Sequence, residues 1–182
     1  DLPDGGMIPA RKILYQNKIG DFNDTNLIVF DDLFNQRDRL AIISGIDKES
    51  AGKKCIYYLL IDGVEHKFTS DVVISGADVG SVLNITMIDG KVYSLYDVAD
   101  PSCQDTKIQA IDTKRIMMNG VVYLFGDNVD IYRQSVDHQL KKIGTDEVKE
   151  LNDEGKLRNI RIYLDKPVES GGKVQVIVVE DR

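Results

Sequence analysis

The chain has 182 residues, 42% of them hydrophobic, and carries 30 acidic against 23 basic side chains, for a net charge of −7 and a pI near 4.9. That apolar share is enough to build a core in one ordinary domain or two small ones. The acidic balance argues against a nucleic-acid binder that tracks phosphates with lysine and arginine, and against docking on anionic membranes. No apolar run approaches the roughly 18 residues of a membrane helix, so neither nucleic acid nor membrane insertion is expected of this segment.

The opening Asp1-Leu2-Pro3-Asp4-Gly5-Gly6 has neither an initiating Met nor a signal-peptide pattern, which is the expectation for a piece of a longer protein or a processed chain. Residues 1–12 read as a lead-in. Lys12 to Tyr15 and Leu27 to Phe30 are short apolar runs that pair as a hairpin across the polar stretch GDFNDTN, and DDLFNQRDR reads as a turn or exposed loop. From Leu40 the pattern becomes regular. LAIISGI is a strand, and CIYYLLI is a near-continuous apolar run suited to a strand covered on both faces. Asp62-Gly63 closes a tight hairpin into VEHKF, because a type I′ turn needs positive φ at both central residues. Val72 to Ile74 is a further short strand, Gly76 to Gly80 a spacer, and VLNITMI alternates before Asp89-Gly90 turns it back into KVYSLYDV.

Asp97 to Asp105 is polar and holds Pro101, which places a module boundary there. KIQAIDTKRIMM then reads as strand, corner and strand; Asn119-Gly120 is the third tight-turn signal, followed by VVYLF and GDNVDIY. One helix is expected from Asp146 to Glu154. Thr145 would serve as its capping acceptor, Asp146 and Glu147 suit the positive end of its dipole, and Gly155 would stop it. NIRIYL alternates, and Gly171-Gly172 leads into the final strand KVQVIVV. Short strands separated by turn signals give an all-β fold. The expectation is two tandem small β-barrel or sandwich-like modules with an N-terminal β extension: residues 1–39 the extension, 40–101 the first module and 102–182 the second.

The two modules share a pattern. An Asp-Gly or Asn-Gly hairpin (Met118-Asn119-Gly120-Val121-Val122-Tyr123) is followed by an Asp and a short apolar strand (Asp71-Val72-Val73-Ile74; Asp127-Asn128-Val129-Asp130-Ile131-Tyr132). A corner and a Gly-Lys-Val turn then lead to the last strand (Val79-Gly80 through Gly90-Lys91-Val92; Gly172-Lys173-Val174). The pattern resembles the β repeats of surface-layer and related cell-wall proteins of Gram-positive bacteria, over roughly residues 40 to 182. The second copy lacks the Val-Gly corner and carries the helix instead. The chain has no Trp, which the wall-anchoring motif of such proteins carries. The resemblance therefore implies a spacer or display part of a secreted protein in the cell wall or surface layer. Its implied partners are further copies of itself or other cell-surface proteins.

No catalytic, cofactor-binding or metal-ligating residue is assigned, and no enzyme activity is expected. His66, Ser70 and Asp71 are close in sequence but read as a solvated hairpin His beside a corner, and His138 reads as exposed. Asp21, Asn23 and Asp24, and again Asp127, Asn128 and Asp130, offer the hard oxygens that calcium favours. They lack the EF-hand pattern, however, and Asp and Asn populate turns for backbone reasons alone. Cys55 and Cys103 read as a buried free thiol and a loop thiol, with a bridge between the modules as the alternative. Tyr57, Tyr58, Tyr93, Tyr96, Tyr123 and Tyr132 read mainly as packing residues. An exposed row of them would suit a carbohydrate or wall-polymer ligand, which is the alternative function.

Overall fold

The computed structural model describes residues 13–19, 24–30, 37–48 and 54–181. Strand accounts for 59% of the fold and helix for 9%, which settles the all-β class, and the chain forms two curled sheets in tandem. In the N-terminal extension, β1 (Ile13–Ile19) pairs antiparallel with β2 (Asp24–Phe30), as the two apolar runs require.

The first sheet is wholly antiparallel. It contains β3 (Arg37–Lys48), β4 (Cys55–Ile61), β5 (Val64–Ser70), β6 (Val82–Ile88) and β7 (Lys91–Val98), in the order β5-β4-β3-β6-β7. The two hairpin turns, Asp62-Gly63 and Asp89-Gly90, have positive φ at both residues, the mirror-image turn that matches strand twist. Alternation divides the faces. Ala41, Ile43, Cys55, Tyr57, Leu59, Leu83 and Ile85 fill the hollow of the curl, whose edge strands β5 and β7 approach one another. Leu40, Ile42, Leu60 and Val82 point the other way.

The second sheet comprises β8 (Cys103–Asp105), β9 (Ala110–Ile111), β10 (Arg115–Met118), β11 (Val121–Gln134), β12 (Leu140–Lys142), β13 (Leu157–Leu164) and β14 (Val174–Asp181). Its order is β8-β13-β14-β11-β10-β9, with β12 on the far half of β11. β11 and β14 run parallel, in register at Ile131↔Ile177. A helix, α1 (Thr145–Asp153), lies in the long connection between them and buries Val148 and Leu151 in the core of this sheet. β14 is the strand buried on both faces. Val174, Ile177 and Val179 serve the core under the helix, while Val176 and Val178 face the first sheet. A near-continuous apolar run is what such a position demands. In β4, where the same was expected, one face is buried and the other only half covered.

Several expectations need correction. Of the segment DDLFNQRDR, residues 31–36 lie outside the described residues, and Arg37 to Arg39 belong to β3, where they pair with Ile85 to Met87. Their charges are compatible with a strand because Arg39 pairs with Asp62 at 2.9 Å and Asp38 accepts from Thr86 Oγ1 at 2.7 Å. Val72 to Ile74 is a turn, not a strand. Ser70 Oγ donates to Val72 O and accepts from its N–H, which leaves Val72 and Val73 exposed. The corresponding GDNVDIY is strand, so the equivalence of the two copies fails there. It fails again in topology, one sheet being all antiparallel and the other built around a parallel pair. Gly144, not Thr145, caps α1 and no side chain bonds the cap, whereas Gly155 adopts the left-handed conformation just beyond Glu154, as a helix stop does. Cys55 and Cys103 are both free, which removes the bridge, and Cys103 lies on β8 rather than in a loop.

Candidate functional site

The feature the sequence does not announce is the junction between the sheets. The outer face of the first sheet is apolar at Leu40, Ile42, Leu60 and Val82. The facing side of the second sheet presents Tyr132, Tyr163, Val176 and Val178, and the two sets form one buried cluster with Ala99. Apolar area removed from water is the main stabilising term here. Burial pushes the Tyr132 and Tyr163 hydroxyls above the ordinary tyrosine value, and at Tyr132 the nearby Asp130 carboxylate adds to the effect.

Polar clamps flank this dry centre. On one side the Asp62-Gly63 turn of the first sheet is held by Asp130 of β11. The Gly63 N–H donates to the Asp130 carboxylate at 3.0 Å, Lys142 Nζ reaches it at 2.6 Å and Tyr132 OH at 3.3 Å. Gly63 is favoured by its φ of +78°, and a Cβ there would lie 2.6 Å from Lys142 Nζ, so the lysine would have to shift at its bond to Asp130. On the other side, Gln134 of β11 donates to Val79 O at 2.9 Å, and Arg161 of β13 reaches Gly80 O at 3.4 Å while pairing with Glu180 at 3.1 Å. Gly80 has φ +86° and lies directly under the Gln134 amide, where a Cβ has no room. The Val79-Gly80 corner, which the second copy lacks, is thus one of the points where the second sheet grips the first.

The outer face of the first sheet continues beyond the covered patch and forms one wall of an open groove of about 490 Å³. Asp38, Leu40, Asn84 and Tyr96 line that wall, and Leu164, Asp165 and Gln175 of the second sheet line the other. Irregular pairing of β7 with β6 presents Tyr96. Leu83↔Val98 is followed by Ile85↔Leu95, and Thr86↔Ser94 by Met87↔Val92, so β7 carries an extra residue at each step. Such bulges turn side chains out of the regular alternation. Val92, Leu95 and Val98 consequently pack on the first core at intervals of three, and Tyr93 and Tyr96 are exposed. The Tyr96 hydroxyl is fixed 3.0 Å from Thr86 Oγ1.

The residues weighed in the sequence are not brought together. Ser70 is engaged in its local turn, while His66 is half buried on β5 opposite Leu59. His138 is exposed, with its Nδ1 3.3 Å from the Gln134 amide. Across the junction a second hollow of about 420 Å³ contains Ser44, Glu65 and His138, but the Ser44 hydroxyl donates to Glu65 at 3.0 Å. Among the acidic candidates, Asp21 and Asn23 lie outside the described residues and Asp24 opens β2. Asp127 and Asn128 are exposed on an irregular stretch of β11, whereas Asp130 turns inward to Lys142. No group of three metal-ligating side chains occurs among the described residues. The tyrosines divide: Tyr57, Tyr123 and Tyr132 are core, Tyr58 is half buried, and Tyr93 and Tyr96 are exposed. The period of three in VYSLYDV was the only signal that could have singled out the last two.

Compared with known proteins, the chain matches no family model, no curated sequence and no solved structure.

Proposed function

We propose that the chain is a non-enzymatic structural or display unit of a secreted bacterial surface protein, of the surface-layer type, which holds its flanking parts at a fixed distance and orientation. The observation that carries this reading is the junction. An apolar cluster shared by both sheets, with polar clamps on either side, leaves no hinge at which direction would be lost. A spacer needs that property, and a flexibly linked pair of modules would lack it. The Ser70 hydroxyl that sequence proximity set beside His66 and Asp71 is tied into its own local turn, which supports the non-enzymatic part. Its partners on this reading are further copies of itself or other cell-surface proteins.

Protease treatment of intact source cells tests the proposal. The exposed corner at Val72 and Val73 offers a cleavage site, and the chain is expected to be shaved from the cells without lysis. Protection of the chain until the cells are broken would overturn the surface assignment.

A further inference from the structure

We propose that the groove between the sheets is a binding site for a neutral oligosaccharide chain, with Tyr96 as its stacking platform. The first support is the pair of bulges in β7. They take Tyr96 out of the regular alternation and leave it 58% exposed on the wall of the groove. Tyr96 is preorganised by its hydroxyl contact with Thr86, which limits the entropy lost when a ring stacks on it.

The second support is the polar lining. Asp38, Asn84, Asp165 and Gln175 face the same groove as Tyr96. Asp38 accepts one bond from Thr86 and Asp165 one from the Lys173 N–H, so each carboxylate keeps acceptor positions for a ligand hydroxyl. The Asn84 amide is anchored by Asp97 at 3.0 Å, which fixes its orientation. Carboxylates and amides beside an aromatic face suit a ligand with hydroxyl edges and an apolar C–H face.

Charge decides among polymers. Among the described residues, Arg39 is the one basic side chain in the lining, and its guanidinium is already paired with Asp62 at both carboxylate oxygens. The remaining ionic groups are carboxylates, so the groove repels phosphate-, sulfate- or uronate-bearing chains. A neutral glycan needs no counter-charge. The site also depends on the docked sheets, because its two walls come from different ones.

The test is titration of the whole chain with neutral hexasaccharides of glucose, N-acetylglucosamine, mannose and xylose, followed by backbone amide NMR shifts. Oligolysine and polygalacturonate are run in parallel. At least one neutral hexasaccharide is expected to shift amides of β6, β7 and Asp165. Tyr96→Ala should weaken binding tenfold or more, and Tyr96→Phe should retain most of it because the ring remains. Leu124→Ser, an exposed position on the second sheet, should have no effect. The proposal is overturned by failure of all four neutral probes, by binding of oligolysine or polygalacturonate in their place, or by affinity unchanged in Tyr96→Ala. None of these outcomes bears on where the chain is located in the cell.

Discussion

Gly80 shows how one residue can carry both a backbone and a packing constraint. Its φ of +86° is a conformation that side chains with a Cβ rarely adopt, and the Gln134 amide occupies the place a methyl group would need. Gly90 has nearly the same φ, +77°, with nothing within 4 Å of the added carbon. Gly90→Ala should therefore cost only the left-handed strain, about 1–2 kcal/mol. Gly80→Ala should cost at least about 1 kcal/mol more, since a buried amide and its bond to Val79 must also move. Urea denaturation of both variants checks this. Adding Gln134→Ala to each should bring the two glycine costs together, and a persistent difference would mean that the contact is not its source.

At the scale of the element, β11 is the most informative strand. It begins in the tight Asn119-Gly120 hairpin, bends at an irregular pairing with β14, and ends at the junction, so its inward side chains serve two cores in turn. Tyr123 on its first half is buried, and its hydroxyl is pushed up to about 12 from 10.0 by that burial, with Cys103 adding to the effect. The folded state thus favours the neutral phenol. The stability it contributes is intact below pH 10 and is lost as pH rises from 10 towards 12, where the unfolded chain has released the proton and the folded one has not. Tyr123→Phe should flatten that alkaline limb by about 1–3 kcal/mol between pH 9 and 12 in chemical denaturation. Part of the slope should remain, since Tyr57, Tyr132 and Tyr163 are raised as well. Legibility follows local chemistry at this scale. Asp62-Gly63, Asp89-Gly90 and Asn119-Gly120 were readable because the turn dictates its residues, and α1 because its acidic first turn and Gly155 mark its ends. The start of β3 was hidden by Arg37 to Arg39, whose partners are distant in sequence. The three-residue strands β8 and β12 are too short to show any period.

For the whole molecule, the sequence led to two β modules in tandem but not to how they meet. Leu40, Ile42, Leu60 and Val82 alternate with residues of the first core, so their strands read as ordinary core strands. Only the fold shows that their second face is covered by β14. The groove was equally illegible, because its walls are assembled from β3, β6 and β7 on one side and the ends of β13 and β14 on the other. The spacer reading and the glycan site both depend on this docking. The repeat pattern in the sequence reflects shared turn chemistry, since the two sheets differ in strand order and in the direction of a central pair.

Residual dipolar couplings measured separately for residues 37–98 and 103–181 in one weakly aligned sample test the docking most directly. A single alignment tensor should fit both sets, as expected of two sheets locked through Ile42, Val82, Tyr132 and Val178. Two tensors of different magnitude or orientation would contradict the account, because the sheets would then move independently and neither a fixed spacing nor a two-walled groove would persist.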